Sequence, residues 1–205
     1  MKELQARDRI LLAAKDLFSR KGYEQVTVRE IAKEANCSHT SIYVYFNDKQ
    51  RLLEELSKVP FENLMKEMDS LLTNDKFSPQ KKLIRTSQTF VHFGLCYRNL
   101  YEAFLIFDAS RVDTTTTQSE LNKIRLNLFE SLKSAVSINF TCWDERKVIE
   151  FSRIIFYMLH GIIMTYKDTD ERVIQIERRV LPIVKQSIIY LIKGVVTNES
   201  TESFS

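Results

Sequence analysis

The sequence has little of what interrupts regular structure. Its 205 residues include 4 glycines and 3 prolines. A chain of many short strands needs such residues at every turn, so their scarcity argues against a sandwich or barrel and for long helices. Cysteine is nearly as scarce: Cys37, Cys96 and Cys142 are odd in number and far apart. That spacing excludes a disulfide framework and a zinc module, and reduced thiols suit a cytoplasmic protein. The opening residues, Met1 to Asp8, are charged and do not read as a signal peptide. A long uncharged apolar run is also missing. The most apolar stretch, residues 148–164, contains Glu150, Arg153 and His160, and is expected to be too short and too polar to span a membrane. No Ser/His/Asp grouping, paired carboxylates or metal-ligand spacing is present, so neither catalysis nor a cofactor or metal is expected. A strong charge of either sign is lacking too. The net charge is +3; residues 1–58 hold 11 Lys/Arg against 9 Asp/Glu, which leaves +2 at that end. This balance names no partner by itself.

What is present is a helical period. The composition is 44% apolar and 28% charged, enough for a sizeable core in one large or two small domains. Most apolar runs recur at i, i+3, i+4, and the fold class expected is all-α with about nine helices.

Residues 27–49 stand out. Thr27 with Glu30 forms a capping box ahead of Val28, Ile31, Ala32 and Ala35, a helix of about two turns. Asn36-Cys37 breaks the period, and Asn tolerates the left-handed conformation a sharp turn needs. Ser38 is then a second N-cap. Ile42 and Phe46 share one face of the helix that follows, which leaves His39, Thr40, Ser41, Tyr43 and Tyr45 on the others. A helix this short is marginal alone. Its outer face carries small hydroxyls, an imidazole and two phenols in place of the usual Lys/Glu mixture, as a helix entering the DNA major groove requires. A capped helical hairpin in an all-α core is the competing reading.

Elsewhere the pattern gives a first helix over residues 4–21 with an apolar stripe of Ile10, Ala13, Ala14, Leu17 and Phe18, stopped by Gly22. Asn47 is read as the cap of a fourth helix that Pro60 kinks or interrupts. Ser78-Pro79 opens a fifth. The fifth and sixth helices are crowded with aromatics, Thr117 with Glu120 caps a seventh, and the eighth and ninth are apolar on more than one face. A helix apolar all round is buried all round. The excess over residues 148–164 and 180–192 therefore predicts a homodimer through helices 8 and 9, with Ile188 a candidate interface residue.

Over residues 10–53 the sequence resembles the tetracycline-repressor (TetR) family of bacterial regulators. The matching residues are Ile10, Leu11, Ala14, Leu17, Phe18, Gly22-Tyr23, Thr27, Ile31-Ala32, Ala35, Ser38, Ile42-Tyr43, Tyr45-Phe46, Lys49 and Leu52-Leu53. The family usually has Gly-Val where Asn36-Cys37 stands. More weakly, Phe93, Leu95, Tyr101 and His160-Gly161 resemble a branch named for a Trp-His-Gly motif, with Phe156 in place of its tryptophan and Arg98 in place of its proline.

The resemblance implies a three-helix DNA-binding domain followed by a helical bundle that binds a ligand and dimerises. The expected division is 1–50 for DNA binding, 51–196 for ligand binding and dimerisation, and 197–205 as a disordered tail. It implies that Thr27, Ser38, His39, Thr40, Ser41, Tyr43, Tyr45 and Lys49 face a palindromic operator. Tyr43 and Lys49 would meet phosphates; His39, Thr40 and Ser41 would meet base edges. A small, mostly apolar effector is expected among Phe90, Phe93, Phe104, Phe107, Phe129, Phe156 and His160, although these residues could equally be core. The function expected is a ligand-responsive repressor; the alternative is a helical-bundle carrier or enzyme with no DNA function.

Overall fold

Helices form wherever the apolar period runs on between caps. The computed structural model describes residues 5–106 and 120–202, and at residues 103–106, 120–121 and 198–202 the backbone alone. Nine helices and no strand occur among the described residues: α1 Ala6–Lys21, α2 Val28–Glu34, α3 His39–Phe46, α4 Lys49–Leu72, α5 Pro79–Cys96, α6 Arg98–Ile106, α7 Glu120–Asn139, α8 Glu145–Thr165 and α9 Val173–Glu202. Phe107 and Thr117 lie outside the described residues, as does the side chain of Phe104.

The ends are set by local chemistry. Gly22 closes α1 at φ +80°, and its N–H returns to the Phe18 carbonyl at 3.0 Å. Ser78 accepts from the Lys81 N–H at 3.3 Å, which leaves Pro79 at the first helical position of α5, where its missing N–H costs nothing. Asp144 caps α8 by accepting from the Lys147 N–H at 2.8 Å. Before that cap, the single tryptophan, Trp143, stacks on Phe140 with centroids 3.9 Å apart, and Phe151 meets both rings edge-on.

One expectation is narrowed and one is corrected. Pro60 does not interrupt α4, which runs continuously from Lys49 to Leu72. Proline has no N–H to return to the Leu56 carbonyl, but Leu53 and Phe61 are buried on either side of that turn, and packing holds the helix through the defect. Likewise α9 continues to Glu202, past Thr197 where a tail was expected; after Gly194 no proline or further glycine stops it.

The chain divides into two compact units. The first comprises residues 1–63 with 97–125. This differs from a break at residue 50, because α6 returns to lie against α1: the Asn99 amide donates to the Ser19 carbonyl at 2.6 Å. Arg7 of α1 also pairs with Glu55 of α4 at 2.8 Å. The second unit comprises residues 64–96 with 126–205 and is built round α5, which packs on both α8 and α9. Gly94 allows the first contact. A Cβ there would stand 2.4 Å from Ile163 Cδ1. Gln88 supports the second by donating to the Leu181 carbonyl at 3.0 Å.

By length and hydropathy alone, α8 and residues 173–197 of α9 are apolar enough to cross a membrane, contrary to the reading from residues 148–164, since the whole helix offers a long enough window. Here α8 is a core helix, burying Val148, Phe151, Ser152, Ile155, Phe156, Leu159 and Ile163.

Candidate nucleic-acid interface

The α2–turn–α3 segment is fixed by hydrogen bonds at each corner. Thr27 Oγ1 accepts from the Glu30 N–H at 3.2 Å, and Glu30 Oε2 accepts from the Thr27 N–H at 2.8 Å, closing the capping box. Lys21 adds an ion pair to Glu30 at 2.8 Å. The Lys21 and Thr27 hydrogen bonds favour the charged carboxylate and bring its pKa down to about 2. At the other end of α2, Asn36 sits at φ +50°. The Asn36 N–H bonds to the Lys33 carbonyl at 3.2 Å and the Cys37 N–H to the Ala32 carbonyl at 3.0 Å, the paired bonds of a Schellman turn. Asn therefore does what a glycine would do at this position. Ser38 then caps α3, its Oγ accepting from the Ser41 N–H at 3.2 Å.

The turn leaves α3 with two faces. Ile42 and Phe46 are fully buried, and Arg7 lies over the Phe46 ring at 5.2 Å. Opposite them, His39 and Thr40 are exposed, Tyr43 and Tyr45 are about half exposed, and the His39 and Tyr43 rings meet edge to face at 6.1 Å. Ser41 is partly withdrawn, since its hydroxyl is 2.9 Å from Ser38 Oγ. Thr27 and Ser38 are exposed while serving as caps. Val44 was missed by sequence reasoning. At 74% exposure it is the most exposed large apolar side chain of the described residues. Position 44 is about 200° round the helix from Ile42, so the wheel could have shown it facing straight out.

Two assignments change. Asn47 does not cap α4. It ends α3 at φ +59°, and Asp48 is the cap, accepting from the Arg51 N–H at 2.8 Å. Lys49 is not extended toward a phosphate. Its ammonium donates to the carbonyls of Tyr23 at 2.9 Å and Val26 at 3.0 Å, and stands 4.1 Å over the Tyr23 ring. Burial lowers the pKa of this ammonium and raises that of the Tyr23 phenol, to about 12. Lys49 clamps the α1–α2 loop to the start of α4.

The profile of the bacterial regulatory proteins of the tetR family matches residues 10–56, the stretch from within α1 to within α4 that carries this geometry. That segment is a tetR-family DNA-binding segment. A probable HTH-type transcriptional regulator of Bacillus subtilis, YttP, is 32% identical over 84 residues, 40% of this chain and 41% of YttP. IcaR of Staphylococcus aureus, the HTH-type negative transcriptional regulator of the biofilm operon icaADBC, is 38% identical over 58 residues, 28% of this chain and 31% of IcaR. The matched part thus spans less than half the length of either relative. The fold extends further. The Bacillus subtilis regulator FadR, solved with stearoyl-CoA, superposes with a TM-score of 0.63 at 19% identity over 86% of this chain and 96% of that one.

In the second unit, the aromatic residues expected to bind an effector pack on one another. Phe90, Phe93, Phe129 and Phe156 are buried. Phe156 lies edge-on to Phe90 at 6.0 Å and to Phe129 at 6.3 Å, and stacks on His160 at 6.1 Å with the planes 3° apart. Burial holds the His160 imidazole below its ordinary pKa and so favours its neutral form. An open depression of about 590 Å³ lies instead at the start of α8, lined by Asp144, Glu145, Arg146, Ile149, Glu150 and Arg153, too charged for an apolar guest. No group of three or more His, Cys, Asp and Glu suited to a metal occurs among the described residues.

Proposed function

We propose that this protein is a sequence-specific DNA-binding transcriptional regulator, a repressor released by a small, mostly apolar effector, rather than an enzyme. The observation that carries the reading is α3. Its inner face is anchored by Ile42 and Phe46, while His39, Thr40, Tyr43, Val44 and Tyr45 face outward with no Glu or Asp among them. Hydroxyls and imidazole suit base edges, the valine suits a thymine methyl, and the phenols suit phosphates. A negative regulator among the relatives supports the sign of regulation. The site of action is cytoplasmic, where DNA is met.

A homodimer through α8 and α9 supplies two recognition helices and hence a palindromic operator. Tyr157 on α8 and Ile183 and Tyr190 on α9 are more than half exposed and give that surface its apolar content. Ile188 is fully buried within its own chain and is not an interface residue. The effector is placed among Phe90, Phe93, Phe129, Phe156 and His160, and must part the Phe156 contacts to enter. The stearoyl-CoA of the structurally similar FadR supports an acyl chain as its apolar part.

Selection of bound duplexes from a random pool tests the reading. An inverted repeat, bound with an affinity that falls steeply with salt, is the expected result. Salt-dependent binding with no enriched sequence would reject sequence-specific regulation, and absence of duplex binding would return the chain to a carrier.

A further inference from the structure

Two adjacent hydroxyls of α5 behave unlike the other buried hydroxyls of their kind. A serine or threonine inside a helix can return its O–H to the carbonyl four residues back. The other buried serines of the described residues do so: Ser57 donates to the Leu53 carbonyl, Ser131 to that of Asn127 and Ser152 to that of Val148. Thr86 and Ser87 do not. Both are 0% exposed, and neither Thr86 Oγ1 nor Ser87 Oγ has a hydrogen-bond partner. A buried hydroxyl left unpaired keeps the full cost of its desolvation. A guest with a polar group would find here two partners already stripped of water.

The setting of the pair is apolar. Phe90 follows Thr86 by four residues and Ser87 by three, so it shares the helix face of both. Long side chains of a helix lean back over the preceding turn. The Phe90 ring, which meets Phe156 edge-on at 6.0 Å, therefore leans over the turn that carries the two hydroxyls. Charge is kept away. Among the described residues of the second unit no Lys, Arg, Asp or Glu is buried, and burial favours the neutral form of the His160 imidazole stacked on Phe156. A carboxylate or ammonium would enter as a lone buried charge, at high cost. A neutral carbonyl oxygen brings two lone pairs and no charge, which two O–H donors satisfy.

We infer that Thr86 and Ser87 are the polar end of the effector site, and that the effector is an uncharged carbonyl compound, a ketone, ester or amide on an apolar body, whose oxygen accepts from both hydroxyls. This rests on the reading of the aromatic cluster as the effector site. The rings take the apolar body. The hydroxyls discriminate against a hydrocarbon, which leaves them unpaired, and against an acid, which brings charge without a counter-ion.

The test uses the full chain and three eight-carbon probes: methyl hexyl ketone, octane and octanoate. Equilibrium dialysis of isotopically labelled probes gives the affinities, and the infrared carbonyl stretch of the bound ketone reports its hydrogen bonds. The ketone is expected to bind about tenfold tighter than octane, since two hydrogen bonds are gained, and tighter than octanoate at neutral pH. Thr86→Val and Ser87→Ala should each weaken the ketone by about three- to fivefold, return its stretch toward the value in a hydrocarbon solvent and leave octane binding unchanged. Neither should lower the thermal midpoint of the ligand-free protein, because only an unpaired hydroxyl is removed. Ketone and octane binding alike, or variants that leave the ketone's affinity and stretch unchanged, would overturn the hydroxyl site and leave the apolar effector reading in place. Octanoate binding tightest would overturn the neutral carbonyl. A lowered midpoint with unchanged ketone affinity would return the hydroxyls to a structural role. Binding of none of the three would reject the effector site and this proposal together.

Discussion

The ammonium of Lys49 is held by the carbonyls of Tyr23 and Val26, 26 and 23 residues back along the chain, and lies over the Tyr23 ring. A lysine so engaged is part of the fold. Lys49→Met, which keeps the stem, is expected to cost about 1–3 kcal/mol in urea unfolding, since two charge-assisted hydrogen bonds are lost. It should leave the slope of log affinity for DNA against log salt unchanged. A slope that drops by about one unit, with stability intact, would show that Lys49 leaves this clamp for a phosphate.

Val44 offers the complementary case. It is 74% exposed and has no packing role to lose. Val44→Asp should leave the unfolding midpoint within about 0.5 kcal/mol of the parent and abolish duplex binding, by setting a carboxylate against the phosphates. Retained binding would place α3 outside the groove.

Gly94→Ala should be destabilising by about 1–3 kcal/mol through overpacking, because the new methyl meets Ile163 Cδ1 at 2.4 Å and Cγ1 and Cγ2 at 2.8 Å. Ile163→Ala should cost stability alone yet relieve the Gly94→Ala variant. Thermal unfolding of the four proteins gives the coupling directly, and simple additivity would mean the α5–α8 approach is not limiting.

Asn36 and the caps of α2 and α3 were legible in the sequence because each is settled within five residues: an amide tolerant of positive φ, a Thr-x-x-Glu box, a serine directly ahead of the next helix. What was not legible depends on distant partners. The two carbonyls that hold Lys49 come from the α1–α2 loop. Ile188 and Ile183 look alike in an apolar helix, and only the packing of α9 on α5 makes the first fully buried and the second 57% exposed. Phe90, Phe129 and Phe156 are on the expected helices, but the sequence does not say whether rings meet each other or a guest.

That distinction moves the test of dimerisation. Tyr190→Glu, 65% exposed in the single chain, should leave folding intact and shift sedimentation from dimer to monomer. Ile188→Glu should instead unfold the protein, since it buries a lone charge. A Tyr190→Glu protein that still sediments as a dimer would move the interface off this face of α9.

The acid limb of stability is expected to involve Glu30. Its pKa of about 2 lies below the roughly 4.3 of an unfolded glutamate. A depressed carboxylate contributes stability that is present above the unfolded value and is lost as pH falls from there toward about 2. Glu30→Gln should therefore flatten the stability profile across that window and leave its shape above pH 5 alone. An unchanged acid limb would assign it to other carboxylates.

The return of α6 to α1 has a consequence for modular exchange. A fragment ending at residue 63 strips the Asn99 amide from the Ser19 carbonyl and uncovers the side of α1 on which α6 lies. Chimaeras that graft this reading head onto another effector domain therefore need three splice points in place of one, with residues 97–125 carried along with the first 63.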